Sequence, residues 1–356
     1  MNQIVSLIFY MLFITSFFSQ DSLYIVEDNE KYRYSMIMDD LDCLTEKYSD
    51  YVFPLTVGFS EFGYPLKAVR IGKKKINPYS IFMVGNIHAR EDYSSKLVMK
   101  FLNLYLMSIK GESEMYPYAK SYLDSLDIYI MPVANPDGLK IAHQDWEGIE
   151  KWRYDVCKMI RKEGFEEWKA NGKGIDLNDS FDDGNHHLKH GDEGEVEPAS
   201  EDFKGYFPAE PVETKYLQDF VNKLKPLMTI SYHTKGDLVY WADAGTHEIF
   251  EGIDIEINEK VLEVSTFDLV SVSKNPITYG CGLENYVRAK MGLLGSCVEL
   301  SKSNDSRVQY ADSLFNELVW KKAKYIPMVY IEEVFSRKEK ILFLSNNYCS
   351  KLNTEM

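Results

Sequence analysis

Short apolar runs that end on polar residues constrain this chain more than any other feature of its sequence. Residues 81–84, 126–133, 227–233 and 293–300 are such runs. Bounded by turn signals and too brief for a core helix, they suit strands buried on both faces. Residues 51–59 and 66–71 are further strand-like runs, separated by FGYP and KKKINP turns. Between the runs, residues 31–51, 92–109, 211–225 and 249–269 read as helices, and the alternation predicts an α/β sheet covered by helices. A short strand is also expected at 175–177, a polar helix over 151–168, a strand at 237–241, a short helix within 280–291 and a long amphipathic segment over 311–335.

The ends of the runs carry the chemistry. The run 81–84 exits through Gly85 and delivers His88 and Glu91 to the turn before a helix. An imidazole and a carboxylate so spaced can share one ion at about 2 Å, although a simple hydrogen-bonded pair has the same signature. Downstream, 175–177 presents Asn178, 227–233 ends on His233, and 293–300 sets Glu299 among Cys297, Val298 and Leu300. Ligands collect at the carboxyl ends of strands in open α/β sheets, so these groups can meet in one crevice. Two histidines and a glutamate form a catalytic zinc set because they leave a position open. Glu299, costly to bury unless paired or used, is placed for general-base work.

At 356 residues and 45% hydrophobic, with no Gly- or Pro-rich linker, the chain reads as one large domain. Its formal net charge of -15 argues against nucleic acid, whose phosphates would be repelled. The apolar stretch 4–18 suits a signal-peptide core better than a membrane span, although no Lys or Arg precedes it and no small-x-small cleavage site follows. The expected division is therefore a leader or signal anchor at 1–20, a catalytic domain at 21–335 and a tail at 336–356. Export follows if the leader is cleaved, and membrane attachment only if it is not. Cys43, Cys157, Cys281, Cys297 and Cys349 are scattered without Cys-x-x-Cys; Cys281 and Cys297 are either a bridge or free buried thiols. The acidic stretch 182–202, with His186, His187 and His190, reads as a solvated flap rather than a second metal site.

Six motifs, HAREDYSS, NPDG, GIDLN, AEPVET, SYHTKG with a following VYW, and SCVELS, occur in the order and approximate spacing of the zinc carboxypeptidase family. The chain resembles that carboxypeptidase A-like family over about residues 31–335. WKAN with GIDLN, ISYHTKG with VYW, and GLENY with CVEL look most similar to its γ-D-glutamyl-diamino acid peptidase branch. The resemblance implies a single-domain, twisted, mixed but largely parallel sheet of about eight strands with helices on both faces. It also implies one zinc per chain, held by His88, Glu91 and His233, with Glu299 as the catalytic glutamate that takes a proton from water and passes it to the leaving amine. Asn178 matches a substrate-holding asparagine, and Lys169 or Arg153 the cation that stabilises the oxyanion, each with a surface cation as the bland alternative. Tyr279 matches a mobile active-site tyrosine, and Glu284 is either a specificity residue or a helix-start carboxylate.

One departure stands out. Where the family reads Asp-Leu-Asn-Arg, this chain has Asp176-Leu177-Asn178-Asp179. An arginine fork grips a carboxylate and aspartate repels it, so Asp179 is expected to receive an amine or cationic group, or to mark lost activity. The leading expectation is an exported, monomeric zinc peptidase acting on short peptides, including muropeptides containing diamino acids. The alternatives are a conventional metallocarboxypeptidase and an inactive, zinc-retaining peptide binder.

Overall fold

The computed structural model describes residues 31–160, 164–189, 195–243, 246–272, 280–304 and 306–355. The proposed leader and Tyr279 lie outside the described residues. A mixed sheet of eight strands runs through the molecule in the order β1-β2-β4-β3-β5-β8-β6-β7. The strands are β1 (Val52–Phe59), β2 (Pro65–Ile71), β3 (Ser80–Gly85), β4 (Asp127–Met131), β5 (Met228–Thr234), β6 (Leu238–Tyr240), β7 (Asp268–Leu269) and β8 (Leu294–Leu300). The central pairings β4-β3, β3-β5 and β5-β8 are all parallel. Their apolar runs are buried along nearly their whole length, as strands covered on both faces must be.

The helices are α1 (Tyr34–Lys47), α2 (Asp92–Lys110), α3 (Pro136–Ala142), α4 (Arg153–Met159), α5 (Val212–Leu224), α6 (Ile253–Val264), α7 (Leu283–Met291), α8 (Ile326–Ser336) and α9 (Lys338–Glu355). On one face, α1, α2, α6 and α8 pack over Met228, Ile230 and Tyr232 of β5 and Val298 and Leu300 of β8. On the other, Leu217 and Val221 of α5 and Leu283 and Val287 of α7 cover Phe82 and Val84 of β3. Gly295 of β8 makes the α7 contact close, since a Cβ there would sit 3.0 Å from the Glu284 carbonyl oxygen.

Several expectations are corrected. Residues 175–177 are not a strand: the buried Asp176 carboxylate accepts the Asn178 N–H at 3.1 Å and starts a 3-10 turn, Leu177–Asp179. The polar helix over 151–168 shrinks to α4, flanked by the 3-10 turns Glu150–Trp152 and Phe165–Glu167. The segment expected at 311–335 is broken by a π turn at Asn316–Trp320 before α8, whose first turn holds Pro327. The described part of the expected tail, residues 336–355, packs on the body: Ile341 and Leu344 of α9 join the main core and Tyr348 donates to the Ala289 carbonyl of α7. The stretch 182–202 is a solvated flap only in part, since His187 and Val196 are exposed but Asp183 and His186 are buried; His190 lies outside the described residues. All five cysteines are free. Among the described residues, no helix is long and apolar enough to cross a membrane.

Candidate metal centre

The parallel strands β3, β5 and β8 end side by side, and their register assembles the site. Gly85 pairs with Tyr232, and His233 pairs with Glu299. Because side chains alternate along a strand, Thr229, Ser231 and His233 share a face with Gly295, Cys297 and Glu299, while Met228, Ile230 and Tyr232 enter the core behind. His88 and Glu91 follow β3 in a tight turn, with Glu91 at the N-cap of α2.

His88, Glu91 and His233 present one ligand atom each within 4.8 Å of one another, all three buried. Nδ1 of His88 is 2.9 Å from Glu91 Oε1, Nδ1 of His233 is 3.0 Å from Oε2, and the two Nδ1 atoms are 3.1 Å apart. The Thr234 N–H also donates to Glu91 Oε2 at 3.1 Å, which fixes the carboxylate. Two imidazole nitrogens approach so closely only around a shared proton or cation, and a His, His, Glu set has the chemistry of an open zinc site. The chain therefore fits the metal. Burial opposes ionisation of Glu91, but the charges of His88 and then its hydrogen bonds to both histidines hold the carboxyl well below its usual range.

Asp176, fully buried, faces the other side of His88, with Oδ1 3.2 Å from Nε2. A carboxylate there fixes the ring and leaves Nδ1 as the atom that would face a bound ion. The reading of the sequence did not select Asp176. The available signal was the same one that marked Glu299, a carboxylate between apolar neighbours, here Ile175 and Leu177. Lys169 forms ion pairs with Asp176 Oδ2 at 2.8 Å and Asp202 at 3.2 Å. Burial disfavours its charge, but the surrounding carboxylates outweigh that and keep it protonated. Arg153 is elsewhere, exposed with its guanidinium over the Trp146 ring at 4.9 Å, which separates the two rivals for the oxyanion.

The Glu299 carboxylate lies with His233 and Cys297 in a second group of ligand atoms within 4.8 Å. Its Oε2 is buried without a hydrogen-bond partner. Burial, reinforced by the charge of Glu91 and opposed by His233, pushes the carboxyl up to about 7. A cleft of about 380 Å³ opens beside it, lined by Asn178, Asp179, Lys189, Glu284, Cys297 and Glu299 among others. Asn178 accepts the Leu283 N–H at 3.2 Å and so caps α7 while facing the cleft. Glu284, 5% exposed, accepts from Ser231 Oγ at 3.1 Å. Asp179 is paired with Lys189 at 2.8 Å, a partner that the sequence reading missed.

A strand-end cluster of this composition is the donor set of an open zinc site, and the comparison with known families agrees with that. The zinc carboxypeptidase family model matches residues 37–271, and the chain belongs to that family. It is 25% identical over 221 residues to γ-D-glutamyl-L-diamino acid endopeptidase 1 of Lysinibacillus sphaericus, covering 61% of this chain and 54% of the relative. It is 27% identical over 206 residues to carboxypeptidase A1 of Sus scrofa, covering 58% of this chain and 45% of the relative. The chain thus spans about half the length of the curated relatives it matches. The crystal structure of thrombin-activatable fibrinolysis inhibitor shares its fold, with a TM-score of 0.64 at 18% identity over 87% of this chain and 75% of the other. The family carries a catalytic zinc, and His88, Glu91 and His233 are the residues here that can hold it.

Proposed function

We propose that the chain hydrolyses a peptide bond as a zinc-dependent metallopeptidase with Glu299 as general base. The observation that carries this reading is the convergence of His88, Glu91 and His233 beside the unpartnered Oε2 of Glu299. When bound, zinc supplies Lewis acidity to a scissile carbonyl and to water. The remaining work falls to side chains. His88, Glu91 and His233 hold the ion, and Asp176 orients His88. With its carboxyl near 7, Glu299 is poised to accept a proton from water and return it to the leaving amine. Lys169, expected as the oxyanion cation, is engaged by Asp176 and Asp202, and its role in this reading is to position His88 through Asp176.

The substrate class we propose is short peptides, including muropeptides with a diamino acid. The name of the Lysinibacillus relative supports it, as does Glu284, a buried carboxylate facing the cleft that suits an ammonium group. A conventional carboxypeptidase is the second reading, favoured by the similarity to the pig enzyme. An inactive binder is disfavoured by the retention of Glu299. Export rests on the apolar residues 4–18, and we propose 21–335 as the core of the catalytic unit, acting as a monomer. The test is hydrolysis of a muropeptide panel against peptides with free C-termini by the zinc-loaded chain. Glu299→Gln is expected to keep its zinc and lose about 10²- to 10⁴-fold in kcat. Full activity of that variant, or zinc binding without turnover on either panel, contradicts the reading.

A further inference from the structure

The turn between β2 and β3, KKKINP in the sequence, has no part in the metal centre. It enters β3 at that strand's amino end, whereas His88 and Glu91 follow the carboxyl end. Lys73, Lys74, Lys75 and Ile76 are four consecutive exposed residues, with Ile76 at 66%. A lysine run or a single exposed isoleucine is ordinary by itself. Here the two coincide on a tip held by a buried network. Asp127, the fully buried first residue of β4, accepts from Arg70 Nη1 at 3.1 Å, from the Asn77 N–H at 3.1 Å and from Asn77 Nδ2 at 2.9 Å. Arg70 Nη1 also donates to the Lys73 carbonyl at 2.9 Å, and Asn77 Nδ2 to the Leu123 carbonyl at 3.2 Å. A Cβ on Gly72 would collide with Asp127 Oδ1, so the turn starts flush against that carboxylate. Both arms are thus fixed, and the four residues between them project.

The charge of this tip is little compensated. Lys73 has Asp124 at 3.5 Å, but the two side chains are 48% and 77% exposed, and such pairs are weak. Lys74 and Lys75 form no ion pair among the described residues. In a chain of net charge -15 the tip is a local reversal of sign. The Debye length is about 8 Å at physiological ionic strength, so a surface that meets the tip responds to these ammonium groups rather than to distant carboxylates. A soluble polyanion would need only the lysines. An apolar side chain closing a basic run has a use where hydrocarbon lies beneath the negative charge. We propose that residues 73–76 dock the molecule on an anionic lipid surface, with the ammonium groups among the headgroups and Ile76 entering the acyl boundary. Docking at this end of the sheet turns the cleft away from the bilayer.

The test is partition of the full chain onto sedimented vesicles of phosphatidylcholine, alone or mixed equally with phosphatidylglycerol. The apolar residues 4–18 can adsorb to either bilayer, so the readout is the anionic-over-neutral ratio. The wild type should favour the anionic vesicles about 100-fold, roughly five-fold per lysine, and the preference should shrink as salt rises. Lys74→Ser combined with Lys75→Ser should reduce that ratio to about five-fold, whereas arginine at both positions should retain it. Ile76→Ser should weaken binding to the anionic vesicles about 5- to 10-fold. Equal partition of the wild type between the two vesicles, or an unchanged ratio in the double serine variant, overturns the proposal. So does a lysine-dependent ratio with full binding by Ile76→Ser, which would assign the tip to a soluble polyanion.

Discussion

His88 illustrates how much of this site is set by single contacts. One ring nitrogen faces Glu91 and the other Asp176, so the imidazole cannot rotate without losing both. Asp176→Asn keeps the shape but removes the charge that fixes the ring. Zinc affinity should fall about 10- to 100-fold, read by competition with a chromophoric chelator. Unchanged affinity would show that Asp176 does not act through His88. The ligands and Glu299 were legible because each sits at the end of an apolar run, where a polar side chain needs a reason. Asp176 was obscured because its turn was taken for a strand end that presents Asn178. Arg153 could not be told from Lys169, since only tertiary contacts reveal that its guanidinium rests on Trp146. Lys189 carries no signal along the chain, because its partner Asp179 was read as vacant.

At the scale of elements, a second set of buried carboxylates holds the scaffold of the site. Asp137 of α3 accepts from Ser60 Oγ at 2.5 Å and the Phe62 N–H at 2.7 Å. Glu213 of α5 accepts from the Glu61 N–H at 3.2 Å and from Asn171 Nδ2 at 3.1 Å. Together they tie the β1-β2 turn to α3, α5 and the segment that carries Lys169 and Asp176. Burial, with the charge of Asp137 adding to it, pushes the Glu213 carboxyl up to about 8, and burial pushes Asp137 up to about 7. A folded-state value above the unfolded one, about 4.3 for glutamate, means that the folded chain binds the proton more tightly. The contribution to stability is complete below pH 4 or so and is lost as pH rises through about 8. Glu213→Gln cannot titrate there, so the wild-type Tm should decline relative to that of the variant between pH 5 and pH 8. Parallel Tm profiles would contradict this. Apart from β7, which fell inside the helix expected at 249–269, the strands were read to within a residue or two, because parallel strands buried on both faces announce themselves as apolar runs. The turns at 175–179 and 311–325 were misread because local side-chain capping and tertiary packing, not periodicity, decide them.

For the whole molecule, the parallel order β3-β5-β8 is what brings residues 88, 233 and 299 together across more than half the chain. Helix α9 belongs to the same body through Ile341 and Leu344, although the sequence sets residues 336–356 apart as a tail. The most direct test is an anomalous difference map from crystals of the zinc-loaded chain, recorded at the zinc absorption edge. One strong peak is expected per chain, bonded to Nδ1 of His88, Nδ1 of His233 and the carboxylate of Glu91, with the Glu299 carboxylate beside it. A peak elsewhere, or none in a fully loaded crystal, would contradict the assignment of the metal centre.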